Sequence, residues 1–372
     1  MNVLFVSYAE ISLRGEGMRS AAMLRALADA GHGGDVVAPL VRIQDHPCIR
    51  VLAREDDGPP RKRSRMRAKA RQAVRQTKYD AVHAVDDAVF FALRLVRWKK
   101  IPLVYDAVRR FSGKAGQAPS RLWKAFPRFL YRQEVKVLGR AALVYSSCAA
   151  LTADLRAAEK NAAVVQLEDV PVQSLLPGLD IDKASLFSSL GGSAGAIVVC
   201  DMLPGSAAGL RNVLMAVLKV VEVIPDVTFF FLSEMPAQAG EMVQKLDISS
   251  NCVFLPPDDS ETFLKALHVA AAALLIPPVG SRYIHPRVYT LLHAPAALVA
   301  VHDAAYDDVL TEQTTIPVLA DSDSMAAGVL RAIQEPLFSR TIATHGQQLV
   351  ADHYSFSTFK HKVRMKYHEL FQ

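Results

Sequence analysis

Three side chains able to carry positive charge fall within six residues of the stretch PPVGSRYIHPRVYTLLHAPAALVAVH, residues 277–302: Arg282, His285 and Arg287. They occupy a polar loop between the apolar runs AALLI (272–276) and AALVAV (296–301), with a short helix expected from about Arg287. Guanidinium groups make charge-assisted, often two-pronged hydrogen bonds to phosphate. A helix start is expected to add free backbone N–H groups and the positive end of a dipole. The chemistry this favours is the holding of phosphate oxygens, and stabilisation of the negative charge that grows on them when a bond to phosphate breaks. Arg211, in the stretch CDMLPGSAAGLRNV (200–213) and one turn into the helix that begins there, is a further cation within reach of such a group. The plain alternatives are a histidine that merely precedes Pro286 and an arginine on a solvated face.

A second group of candidates lies near the amino terminus. The loop Gly15-Glu16-Gly17 follows an apolar run at 2–6, and glycines there permit close backbone approach to a ligand or simply make a turn. Arg19 stands in the first helical turn behind it. Asp106 ends an apolar run at the edge where ligands bind, or else caps a helix. Glu134 falls inside a helical segment, where an ion-pair partner or a solvated face competes with a functional role.

Apolar runs that alternate with helical patterns must position these residues. NVLFV (2–6), a helix from Met18 to His32 and DVVAP (35–39) open the chain, and strand-like runs recur at 81–85, 102–105, 142–146 and 163–167. Residues 170–194, with two prolines and three glycines, break the pattern. A second series follows at 196–200, 227–232, 252–255, 272–276 and 296–301, separated by helices at 209–223, 236–246 and 260–269. This alternation predicts an α/β chain with two parallel, doubly wound sheets. The expected division is an amino-terminal domain over 1–172, a linker over 173–194, a second domain over 195–350 and a terminal helix over 351–372. In that helix Phe356, Phe359, Val363, Tyr367 and Leu370 recur at threes and fours.

A chain of 372 residues with 51% hydrophobic and 22% charged residues is of ordinary globular composition and long enough for two cores. Its first residues carry no basic segment and only a strand-length apolar run, so neither a signal peptide nor a membrane anchor is expected, and the expected location is cytoplasmic. The four cysteines form no C-x-x-C pair and are expected to be buried free thiols, with no metal site. Residues 61–78 hold nine basic residues and no acid, more than the chain's net +6, so the remainder is mildly acidic. Arg61, Arg65 and Lys69 repeat at fours beside Met66 and Ala70, which predicts a helix lying on an anionic membrane surface. Residues 120–133 mix Trp123, Phe126, Phe129, Leu130 and Tyr131 with four cations and suit the same interface. No nucleic-acid-binding module accompanies the charge, so nucleic acid is not an expected partner.

Nearly the whole chain resembles the GT-B glycosyltransferases, and within them the retaining family 4 enzymes. GEGMRSAAMLRALADAGHGGDVVAP looks like that family's glycine loop, first helix and turn into the second strand. IPLVYDAVRR resembles its strand ending in Asp before the acceptor cleft, and RQEVKVLGRAALVYSSCAALTADL its Glu-bearing helix and following strand, with Ala142 where an Asp is usual. The resemblance implies two Rossmann-like domains facing each other across a cleft, with a carboxy-terminal helix crossing back to the first. The chain departs from the family in its donor half. The usual Gly-Arg pair is missing, Ala208 stands at the Lys position, and Thr290 replaces the Glu that holds the ribose, with Arg287 aligned to the preceding Lys.

The resemblance implies Asp106, Arg211 and Arg287 as the catalytic set and Gly15, Gly17, Ser206, Arg282, His285 and Thr290 as donor-binding residues. It places Glu16, Arg19 and Arg109 on the acceptor side. It further implies a metal-independent, retaining transfer of sugar from a nucleotide-sugar to a glycan, lipid-linked or other cell-surface acceptor, with no cofactor beyond that substrate. The departures keep a second reading open, a catalytically inactive homologue serving as a partner subunit or glycan-binding protein. A third reading, another sugar-phosphate enzyme such as an epimerase, is demanded by no residue pair.

Overall fold

The computed structural model describes residues 1–12, 17–43, 46–52, 62–110, 127–175, 195–202, 209–232, 237–256, 260–278 and 283–371. Gly15, Glu16, Ser206 and Arg282 lie outside the described residues, as do 120–126 of the aromatic basic segment. The chain forms two compact units, residues 1–175 with 356–372, and residues 176–355.

The first unit is built on a seven-stranded parallel sheet. In chain order its strands are β1 (Asn2–Val6), β3 (Gly33–Val37), β5 (Ile49–Val51), β6 (Ala81–Val85), β7 (Leu103–Ala107), β8 (Leu143–Ser146) and β9 (Val164–Gln166), laid side by side as β5-β3-β1-β6-β7-β8-β9. The short β2 (Ile11–Ser12) and β4 (Val41–Arg42) pair separately. The central strands are fully buried because helices cover both faces, which is why they read as continuous apolar runs. One face is covered by α1 (Gly17–Asp29), and Gly17 has a steric reason: a Cβ there would lie 2.7 Å from the Ser12 amide nitrogen and 2.8 Å from the Glu10 carbonyl oxygen.

On the same unit follow α2 (Lys62–Gln76), α3 (Val89–Lys99), α4 (Pro127–Leu138) and α5 (Ala149–Ala158). Here the expectation that Met66 and Ala70 lie on lipid is overturned. Met66, Ala70, Ala73 and Val74 are all buried, where α2 packs against α3 and β3. The apolar face of α2 is spent on the domain's own core, and only its arginine face meets solvent.

The second unit carries a six-stranded parallel sheet of β10 (Ile197–Met202), β11 (Thr228–Leu232), β12 (Cys252–Leu255), β13 (Ala272–Ile276), β14 (Ala297–Val301) and β15 (Ile316–Val318), ordered β12-β11-β10-β13-β14-β15. Its helices are α6 (Leu210–Val223), α7 (Ala237–Lys245), α8 (Ser260–Val269), α9 (Arg287–Leu292), α10 (Ser322–Gln334) and α11 (Pro336–His353). The core is aliphatic with a stacked Phe229, Phe231 and Phe254 group.

The last helix, α12 (Phe356–Leu370), belongs to the first unit, where it packs on α1 and buries Phe359, Val363 and Tyr367. Lys360 pairs with Asp29 and Lys362 with Glu168 at its flanks. All four cysteines are free. Cys148 and Cys200 are buried, but Cys48 is exposed in the turn before β5, against the expectation of four enclosed thiols. Among the described residues no helix is long and apolar enough to cross a membrane.

Candidate functional site

Each unit encloses an ion cluster near the carboxyl end of its sheet, and each contains residues singled out by sequence. In the first unit Asp106 is the penultimate residue of β7 and is fully buried. Arg19, from the first turn of α1, donates from Nε to Asp106 Oδ1 at 2.8 Å and from Nη1 to Asp169 Oδ1 at 2.8 Å and the Leu167 carbonyl at 2.7 Å. His83 of β6 stands 3.9 Å from Asp106 Oδ2 through Nε2, while its Nδ1 lies 2.6 Å from the Tyr367 hydroxyl of α12. A chain of contacts therefore runs from the terminal helix through His83 and Asp106 to Arg19 and Asp169.

The two carboxylates respond differently. Burial works to raise Asp106, but the charge of Arg19 and the neighbouring imidazole outweigh it and hold the group below the usual carboxylate range. At Asp169 burial wins over the single arginine contact, and the group is raised. Arg19 Nη2, His83 Nε2, Asp106 Oδ2, Asp169 Oδ2 and the Tyr145 hydroxyl are buried without a hydrogen-bond partner among the described residues. Arg19 and Asp106, named separately from sequence, are thus brought together, and their side chains are sealed at 1% and 0% exposure. A carboxylate enclosed in this way is the counter-charge of Arg19.

Arg109 is half-buried and pairs with Asp86 at 3.4 Å. Glu134 is buried and receives Arg110 Nε at 3.1 Å, which selects its ion-pair reading.

In the second unit Asp201 lies near the end of β10, fully buried, with Arg287 Nη2 3.0 Å from its Oδ1. That approach has ion-pair distance but not hydrogen-bond alignment, and among the described residues both Asp201 oxygens and Arg287 Nε lack a hydrogen-bond partner. Burial raises the Asp201 carboxyl, and Arg287 only partly offsets it. The Arg287 side chain keeps 15% exposure.

The free backbone N–H groups expected at the start of α9 are not free. The Arg287 amide donates to His285 Nδ1 at 3.3 Å, the Val288 amide to the His285 carbonyl at 3.0 Å and the Tyr289 amide to the Pro286 carbonyl at 3.2 Å. The Ile284–Pro286 turn folds back over the helix start and uses its donors. Burial, helped by the Arg287 charge, pushes His285 down to about 3, so it is a neutral imidazole at physiological pH. Thr290 is buried, and Arg211 is exposed on the first turn of α6.

Sequence reasoning did not single out His83, Asp169, Tyr367 or Asp201. His83 lies inside the strand-like run at 81–85 and Asp201 directly after the one at 196–200, and an ionisable residue in such a place is itself a signal of a buried partner.

No family model matches the chain, and no curated protein matches it. Solved structures do. The chain is similar to HepE of Anabaena in complex with UDP-glucose, at 14% identity, TM-score 0.73, covering 99% of this chain and 100% of that one. It is also similar to WaaG, a glycosyltransferase involved in lipopolysaccharide biosynthesis, at 12% identity and TM-score 0.71, covering 98% and 99%. A putative UDP-N-acetylglucosamine 2-epimerase from Listeria monocytogenes shares 13% identity and TM-score 0.69 over 99% and 96%. The chain has the GT-B fold. At these identities the likeness establishes the two parallel-sheet Rossmann-like domains and leaves the reaction to the residues.

Proposed function

We propose that the protein is a glycosyltransferase that takes a sugar from a nucleotide-sugar and passes it, without a metal and with retention, to a glycan or lipid-linked acceptor. The observation that carries this reading is Arg287, a partly exposed guanidinium at the carboxyl edge of the second sheet. It is the described cation best placed to meet a diphosphate, and a fixed cation there stabilises charge on the departing group. Arg211 and Arg282 complete the proposed set. The structure of HepE with UDP-glucose makes uridine diphosphate compounds the first to test. Asp106 and Arg19 serve this reaction as the frame of the first domain.

A second reading, a homologue without catalysis that binds a glycan or a partner, is favoured by one observation: Asp201 cancels the charge of Arg287. The two separate on binding. Thermal melting against UDP-, GDP-, TDP-, ADP- and CMP-linked sugars should show one nucleotide raising the melting temperature of the wild type. Saturation at about 100 times the dissociation constant adds about 2.7 kcal/mol. The shift should disappear in Arg287→Ala. A folded wild type that responds to none of them supports the second reading.

The acceptor is proposed to lie at an anionic membrane surface. Arg63, Arg67, Arg71 and Arg75 form one solvent-facing row on α2, and Trp98 of α3 is 56% exposed between Arg75 and Lys99. Phe129 and Tyr131 of α4 are also exposed. An aromatic ring flanked by cations suits the headgroup region of a bilayer.

A further inference from the structure

The ion pair of the second domain has an unusual balance. Asp201 is fully buried, and among the described residues it has Arg287 as its charged partner and no hydrogen bond to either oxygen. A buried carboxylate with one poorly aligned partner adds little to the fold, because desolvation offsets the attraction. Its charge nevertheless acts on Arg287 from 3.0 Å and neutralises the cation on which a phosphate depends. Thr290, His285 and the first amides of α9 contribute no charge to replace it.

We infer that Asp201 is a built-in competitor for the nucleoside diphosphate: it holds the Arg287 guanidinium at 3.0 Å, and a diphosphate binds by drawing that guanidinium away from it. The affinity of the site for a diphosphate is therefore set by Asp201 as much as by Arg287. A site of this kind binds product and donor weakly and releases both readily. The inference rests on the donor reading proposed above, and its test separates the two.

UDP binding is to be measured by calorimetry on the full chain for wild type, Asp201→Asn, Arg287→Ala and the double variant. Asparagine keeps the size and removes the charge. Relief of one opposing charge a few ångströms from the phosphate should tighten UDP binding by about tenfold or more. The gain should vanish in the Arg287→Ala background, since the competition acts through that residue. Asp201→Ser serves the same purpose if the asparagine protein does not fold. Should wild type bind UDP while Asp201→Asn binds it equally or more weakly, the competitor role is overturned and the donor reading stands. If no folded member of the set binds UDP, nor GDP, TDP, ADP or CMP put in its place, both fall together.

Discussion

The two buried ion clusters occupy corresponding places, at the carboxyl ends of parallel sheets, yet they are constructed differently. Arg19 in the first domain is held by two carboxylates and a carbonyl and has 1% of its side chain exposed. Arg287 in the second has one carboxylate, no aligned hydrogen bond to it and 15% exposure. An arginine contacted from three sides is part of the architecture, because moving it strands two buried anions. One contacted once, at an edge, can change partner without dismantling the core. Burial of a charge therefore says less about its role than the number of groups that must be left behind when it moves.

The largest effect should follow from Arg19→Ala. Removing one partner of a buried pair costs about 3–5 kcal/mol because the other charge is left uncompensated, and here two are left. Urea unfolding should show that loss, or no folded protein at all. Arg287→Ala should cost less, since Asp201 is already raised by burial and readily takes up a proton. Equal destabilisation by the two substitutions would show that Arg287 is as much a part of the architecture as Arg19.

The two clusters should also differ in their response to pH. A carboxyl raised in the folded state, as Asp201 is above 3.8, binds its proton more tightly folded than unfolded, so the stability it contributes falls as pH rises through the window between the two values. Asp201→Asn should therefore melt above wild type at about pH 7, with the gap closing towards about pH 4. Asp106, lowered in the folded state, has the opposite sign: its contribution is present above the unfolded value and lost as pH falls through the folded one. Asp106→Asn should be most destabilising at neutral pH and least in acid. Melting curves across this range check both, and parallel profiles for the two variants would remove the distinction.

Most of the strands needed only the apolar runs to be located, because strands buried on both faces have no polar alternation to confuse them. The weakest strands escaped. β15 is three residues with Pro317 in the middle, tolerable because it lies at the sheet edge, and β5 is another three-residue edge. Among the site residues, Arg19 and Asp106 were visible as types but not as a pair, since 87 positions separate them and nothing local encodes the contact. Asp201 was legible only as a gap where a Gly-Arg pair was expected. That reading recorded what the strand had lost and overlooked the charge it had gained. The helix at 62–76 shows the converse: spacing gave its two faces correctly, but whether Met66 and Ala70 meet lipid or core depends on β3 and α3, which a local pattern does not contain.

The smallest effect on stability, and a clear one on binding, is expected at the arginine row of α2. Arg67 and Arg71 flank the Phe91 ring at 5.9 and 5.6 Å, and Arg67 Nε also donates to the Tyr8 hydroxyl at 2.8 Å. Exposed cation–π contacts of this kind contribute about 0.5–1 kcal/mol each. Asp87 neutralises Arg63 at 3.0 Å, whereas Arg67, Arg71 and Arg75 have no carboxylate partner among the described residues. Aromatic platforms thus hold three cations in place without cancelling their charge. Arg67→Glu with Arg71→Glu should leave the fold intact, lowering stability by about 1–2 kcal/mol. The same change should abolish co-sedimentation with vesicles containing phosphatidylserine or phosphatidylglycerol, because each basic residue near such a surface contributes about 1 kcal/mol. Wild-type binding to those vesicles should also weaken with added salt. Retention of the double variant, or binding of the wild type to neutral vesicles equally well, would show that these cations do not face a membrane and would assign the row to the soluble surface of the first domain.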